Sequence, residues 1–141
     1  MEVGLVSCTK SKRAQATQPR ELYMESALFR KARQYVEANH DTWYILSAKH
    51  HLLEPDGGQI EPYEETLRGA PVARKREWAA TVRDQLREEG VLTGRNRLVF
   101  HAGQDYYDEL QPLLAETEVE TSVPTAGLRF GETLAWYNER L

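Results

Sequence analysis

Three short strand-like runs, Val3 to Val6, Trp43 to Leu46 and Arg97 to Phe100, each pass directly into a block of hydroxyl-bearing or ionisable residues. The blocks read "SCTKSKR" (7–13), "SAKHH" (47–51) and "HAGQD" (101–105). Short apolar runs without alternation are what strands covered on both faces require, and segments of helical period separate them. Strand, helix, strand in this order leads to parallel pairing with helices on both faces. Each strand-to-helix connection then leaves at the carboxyl edge of the sheet, where ligands bind. The three blocks are therefore expected to meet there, on strands about 5 Å apart.

The helices are read from spacing. Met24, Ala27, Leu28, Ala32, Tyr35 and Val36 give one from about Glu21 to Asn39, and Trp78, Ala79, Val82 and Leu86 give a second from Val72 to Glu89, stopped by Gly90. Tyr106 or Tyr107, Leu110, Leu113 and Leu114 make a third that Pro112 must kink or restart. Val119 to Val123 alternates as a weaker edge strand, and Gly131 to Leu141 closes the chain as a helix carrying Leu134 and Tyr137. The expected fold class is α/β: one domain over residues 1–141, a three-layer α/β/α sandwich with a short, mainly parallel four-stranded sheet. From Leu53 to Pro71 the chain carries three prolines and three glycines and no period, the mark of a long loop with a functional or disordered role.

Composition narrows the function classes. At 141 residues the chain has the length of one ordinary domain, and Cys8, its only cysteine, leaves no internal disulfide or cysteine-rich zinc site. No apolar run approaches 18 residues and the start lacks the features of a signal peptide, so a soluble cytoplasmic protein with no membrane partner is expected. The net charge of -4 opposes binding of long duplex nucleic acid through a general basic face. A local basic pocket is compatible with it, and three of the five lysines, Lys10, Lys12 and Lys49, stand just past strands.

The expected site follows from this convergence. Lys10 and Lys12, with the hydroxyls of Ser7 and Thr9, suit a phosphate or carboxylate. Lys49 joins them from the second block, and Asp56 and Tyr63 from the long loop. His50, His101, Asp105 and Asp56 are the candidate acid–base groups, and Tyr63 or Tyr106 the candidate for stacking on a base, with Gly103 beside them. Polar residues after strands also serve solvation alone, and Asp56 before Gly57-Gly58 suits a turn. Neighbouring His50 and His51 cannot both point the same way on an extended strand. Cys8, His50 and His101 lack the paired spacing of zinc motifs, and "SCTKSKR" has no glycine, so neither a P-loop nor a dinucleotide fingerprint is present; no metal or cofactor is expected. Cys8 reads as a small buried hydrophobe rather than a nucleophile.

The ordered set "SCTKSKR", "ELYMESALFRKARQYV", "WYILSAKHHLLEPD", "IEPYEETL", "FHAGQDYYDELQPLL" and "GLRFGETLAWYNERL" resembles a small prokaryotic and phage family of unknown function over nearly the whole chain. That family has glycine where this chain has His51, which marks His51 as the dispensable histidine of the pair. It is more distantly similar to the carboxy-terminal domain of archaeosine synthase, a tRNA-modifying enzyme, to the peroxide-stress protein group, and to the uracil-DNA-glycosylase type of α/β fold. "GQDYYD" is similar to the water-activating Gly-Gln-Asp-Pro-Tyr of those glycosylases, although it follows the third strand rather than the first and lacks the proline. The resemblance implies an enzyme acting on a nucleobase, nucleotide or nucleic acid, cleaving or exchanging an N-glycosidic bond with Asp105 or Asp56 as the carboxylate, His50 or His101 as the donor, and Lys10 with Lys12 gripping a phosphate. The alternatives are a non-catalytic module for a nucleotide, modified base or tRNA end, and an interaction protein of a stress or phage-defence system. The expected partner is a nucleotide, nucleoside, or single-stranded or modified nucleic acid.

Overall fold

A computed structural model describes residues 1–141. In chain order the elements are β1 (Glu2–Ser7), α1 (Pro19–Leu22), α2 (Ala27–Asn39), β2 (Thr42–Ser47), β3 (His51–Leu53), α3 (Val72–Glu88), β4 (Arg97–His101), α4 (Gln104–Tyr107), α5 (Leu110–Ala115), β5 (Glu120–Ser122) and α6 (Phe130–Arg140). They form an α/β fold around one sheet of order β3-β2-β1-β4-β5. β1 is central and parallel to both β2 and β4, and β4 is parallel to β5. No helix is long and apolar enough to cross a membrane.

Alternation along the strands sorts the two faces. Gly4 meets α2, since a Cβ there would lie 2.9 Å from Val36 Cγ1 and 3.0 Å from His40 Cδ2. Residues in register with Gly4 and Val6 share that face: Trp43 packs against Phe29 of α2 with the rings tilted, and His101 reaches Tyr137 of α6. The other face takes Leu5, Leu98 and Phe100, with Phe100 against Tyr107 of α4, and α3 packs on α5 beside it. Val3, Leu5, Ile45, Leu46, Leu98 and Phe100 are completely buried, as strands covered on both faces require.

The sheet has five strands and is mixed, where four, mainly parallel, were expected. The added strand is β3, antiparallel to β2, with Ser47 opposite His51 and Ile45 opposite Leu53. Lys49 and His50 are thus the tip of a tight reversal, which is why ionisable residues follow the buried strand so abruptly. His51 closes that reversal at φ 65°, the left-handed region normally given to glycine in hairpins of this kind. The exposed edge of β3 is covered by α3, whose Gln85 side chain accepts from the Leu52 amide at 2.9 Å.

Helix boundaries shift for local reasons. The expected helix from Glu21 breaks at Tyr23–Ser26 because Ser26 is an N-cap: its hydroxyl accepts from the Phe29 amide at 3.2 Å, so α2 starts at Ala27. Pro112 stands third in α5, in the first turn, where a missing N–H breaks no helical bond.

Because β3 runs backwards, the long segment after it begins at the amino edge of the sheet. It then returns, pairing Ile60 with Thr17 and burying Tyr63 and Leu67 in the core. The Tyr63 hydroxyl lies 2.7 Å from Ser47 Oγ and 2.6 Å from the Tyr23 hydroxyl, so three buried hydroxyls staple this segment to the sheet. Burial pushes the Tyr23 and Tyr63 phenols up, and they stay neutral hydrogen-bonding groups. The segment is docked by its own side chains.

Tyr63→Phe keeps the ring but leaves Ser47 and Tyr23 short of a partner, and is expected to cost about 1–3 kcal/mol in denaturant unfolding. His51→Gly removes left-handed strain and is expected to raise stability by up to about 1 kcal/mol in the same assay.

Candidate functional site

Leaving β1, the chain crosses to β2 on one side; leaving β4, it crosses to β5 on the other. The two connections diverge and open a crevice between the carboxyl ends of β1 and β4, the point in such sheets where ligands bind. A cleft of about 320 Å³ lies there. Ser7 lines it from the end of β1 and Thr9 from the loop beyond, His101 from the end of β4, Ala102 and Gly103 from the turn that follows, and Gln104 and Tyr107 from α4. Phe29 of α2, Thr133 and Tyr137 of α6, and Thr125 before α6 add to the wall, and Val6, Leu28, Ala32 and Leu128 give it aliphatic surface. No Asp, Glu, Lys or Arg side chain lines it.

The convergence of the three blocks holds, since β1 pairs in parallel with both β2 and β4. The expected residues nevertheless fall into separate groups. Ser7, Thr9, His101 and Gly103 line the cleft. Tyr63 and Tyr106 do not: both are buried, with the Tyr106 hydroxyl 3.3 Å from Cys8 Sγ and its ring edge-on to Trp78, so neither face is open to stack on a base. Lys12 is committed nearby, its Nζ 4.4 Å from the centre of the Tyr63 ring and donating to the Lys10 carbonyl at 3.4 Å. Lys10 is exposed and makes no ion pair.

His50 stands edge-on to Tyr63 at 5.4 Å, and burial, then the charge of Lys49, lowers its pKa. Its backbone N–H donates to Ser47 Oγ at 2.9 Å, which fixes the turn. Lys49 lines a separate open groove with His51 and Arg74 against α3. Asp56 sits at the opposite edge of the sheet beside Thr42 and Trp43, because β3 carried the chain there before the loop began. Asp105 directly follows the cleft residues Gly103 and Gln104, but its carboxylate is ion-paired at 2.7 Å with Lys75 of α3. Cys8, His50 and His101 are not grouped, and no set of three or more His, Cys, Asp or Glu side chains is placed to hold a metal ion.

Sequence reasoning passed over the other half of the wall. Gln104 and Tyr107 lay within or beside a block already singled out, and Tyr137 was legible only as one residue of a buried helical stripe. Thr125 and Thr133 have no local signal, since the fold of the last segment brings them in. His40 was missed entirely. It is buried under Tyr35, with Nε2 3.0 Å from His101 Nε2, while His101 Nδ1 lies 2.8 Å from the Tyr137 hydroxyl.

Burial, then the neighbouring His40, lowers the His101 pKa to about 3, so at neutral pH its ring is uncharged. An unfolded chain takes up that proton near the ordinary imidazole value of about 6.5, and the folded chain does not until about 3. The stability linked to His101 is therefore complete above pH 6.5 and is lost as pH falls through this window, by at most about 1.4 kcal/mol per pH unit. Urea unfolding between pH 7 and 5 should show this slope, and His101→Gln should flatten it.

No curated protein and no solved structure matches the chain. Residues 3–139 match a family described only as a family of unknown function, DUF6884. The match spans both ends of the sheet, the cleft and the histidine pair, and the chain belongs to that family.

Proposed function

We propose that the chain recognises a nucleobase, presented as a nucleoside, a nucleotide or a single-stranded end, in the cleft between β1 and β4. The observation that carries this reading is the composition of the cleft: aromatic and aliphatic side chains, small hydroxyls, one amide and the uncharged His101 imidazole, with no formal charge. An ion placed against such a lining has nothing to compensate its lost hydration, so the inserted part of the ligand is neutral. The volume of about 320 Å³ is at the low end for small-molecule sites, which suits one base with its sugar. Tyr107, half-buried, supplies a flat face of the kind bases stack on, and the Gln104 amide has the donor–acceptor pair that matches a base edge. A phosphate stays outside at the rim. Lys10, free of any ion pair and on the same loop as Thr9, is the cation available to it.

Cleavage of an N-glycosidic bond is the second reading. Asp105 favours it, because it adjoins two cleft residues and 36% of its side chain is exposed. Such a reaction builds positive charge on the sugar, which a carboxylate stabilises and to which it directs water. Lys75 holds that carboxylate in an ion pair, so the reaction requires Asp105 to leave it when substrate binds. The likeness of "GQDYYD" to the glycosylase motif belongs to this reading.

Gly103 gives a clean test. A Cβ there meets no atom within 4 Å, and its φ of -75° suits any residue, so Gly103→Leu adds bulk at the wall of the cleft without straining the fold. Calorimetric titration with nucleosides and nucleotides is expected to show binding to the native chain and none to this variant, with unfolding stability changed by less than about 1 kcal/mol. Equal binding by both proteins, or by neither, rejects the cleft as the site. Chromatography of the same mixtures separates the readings: free base released by the native chain, and not by Asp105→Asn, supports cleavage, whereas intact ligand leaves recognition alone.

A further inference from the structure

Glu2, His40, His101 and Tyr137 form a file from the amino end of β1 to the cleft. Glu2 Oε1 lies 3.4 Å from His40 Nδ1, the two imidazoles meet through their Nε2 atoms at 3.0 Å, and His101 Nδ1 lies 2.8 Å from the Tyr137 hydroxyl. Only 4% of the His40 side chain is exposed, and its Nδ1 has no hydrogen-bond partner, Glu2 being the one polar group that approaches it. Two ring nitrogens at that separation share a single hydrogen.

With both rings neutral, the file has only two consistent hydrogen placements. In one, Tyr137 donates to His101 Nδ1, His101 Nε2–H donates to His40 Nε2, and His40 Nδ1–H points at Glu2. In the other, every hydrogen is reversed, and a bare His40 Nδ1 lone pair faces the Glu2 carboxylate. The charges around the file decide between them. Arg97 Nη1 of β4 lies 3.8 Å from the other Glu2 oxygen. Asp41, next to His40, accepts from the Glu2 amide at 2.8 Å, and Glu37 and Asp56 line the same surface groove as His40, so the further charges on this side are all acidic. The rings from α2 and α6 that pack on the two imidazoles are Tyr35, Trp136 and Tyr137. An ionised Glu2 is repelled by a lone pair and attracted by an N–H.

We propose that Glu2 sets the hydrogen-bond polarity of the cleft: it holds His40 as the Nδ1–H tautomer and His101 as the Nε2–H tautomer, so Tyr137 spends its hydrogen on His101 and offers the ligand an acceptor. The cleft then selects a base that brings an N–H or amino group to Tyr137. This specificity rests on the nucleobase reading, while the tautomers do not. Glu2 touches no ligand; it is a positioning residue acting across the sheet.

Long-range ¹H–¹⁵N correlation spectra of the native chain at pH 7.5 distinguish protonated from unprotonated ring nitrogens. The expected result is Nδ1–H for His40 and Nε2–H for His101; the reverse pair, or an imidazolium at either position, overturns the proposal. Glu2→Lys presents a donor in place of an acceptor and should reverse both tautomers, whereas unchanged tautomers in this variant remove Glu2 from the role. Glu2→Gln is the milder variant and should populate both forms. The ligand arm compares adenosine with purine riboside and guanosine with inosine, pairs that differ by one amino group. The native chain should bind the amino-bearing member of at least one pair about tenfold more tightly, and Glu2→Lys should lose that preference. Binding without preference overturns the selectivity. No binding of any of the four overturns the nucleobase reading and leaves the tautomers to stand on the spectra.

Discussion

β1 is hydrogen-bonded in parallel on both sides, to β2 and to β4, and this double ladder determines everything at the carboxyl edge. Parallel pairing starts all three connections on one edge, and the register fixes which side chains share a face: Val6 stands opposite both Ile45 and His101. A slip of one residue would turn His101 from α6 to the opposite face and take it out of the cleft wall. The burial of Val3, Leu5 and Val6 on both sides of the strand opposes such a slip, because it would exchange two full sets of apolar contacts.

The same geometry explains what the sequence discloses. Alternation of strands and helices is enough to bring Ser7, Thr9, His101 and Gly103 to one place, because the handedness and direction of parallel crossovers leave few choices. It does not say how the rim divides. Lys49 and His50 follow a buried strand just as His101 does, yet they form the tip of a hairpin, because His51 takes a left-handed conformation with no glycine to announce it. Once β3 is missed, Asp56 is misplaced as well, since the direction of β3 decides at which edge the long segment starts. Thr125, Thr133 and Tyr137 are invisible for a different reason: they belong to the cleft through tertiary packing of α6 on α2, which no local pattern encodes.

Aromatic residues carry two distinct tasks at this edge, and neighbouring residues split them. Tyr106 turns inward to Trp78 and Cys8, while Tyr107 lines the cleft. Tyr63 is used structurally in the same way, its hydroxyl tied to Ser47 and Tyr23. A buried phenol without a partner is costly, so these hydroxyl contacts show that the rings are docking devices and not open platforms. Tyr107, whose hydroxyl has no such tie, is the ring left for a ligand.

The file of side chains from Glu2 to Tyr137 also accounts for Gly4. Glu2 and Val6 are four residues apart on β1, about 13 Å along a strand, too far for a carboxylate to act directly on His101, which sits opposite Val6. His40 bridges that gap by lying flat over Gly4, with Cδ2 3.0 Å from where a Cβ would stand. A Cβ at this position would force Val36 and the imidazole to shift away from the strand. In a strand interior glycine is destabilising, by roughly 0.5–1 kcal/mol relative to alanine, so its place at the centre of the best-buried strand requires a compensating close approach. Val36 and His40 make that approach together, one for packing and the other for the hydrogen-bond path, which joins the stability of the α2 face to the polarity of the cleft.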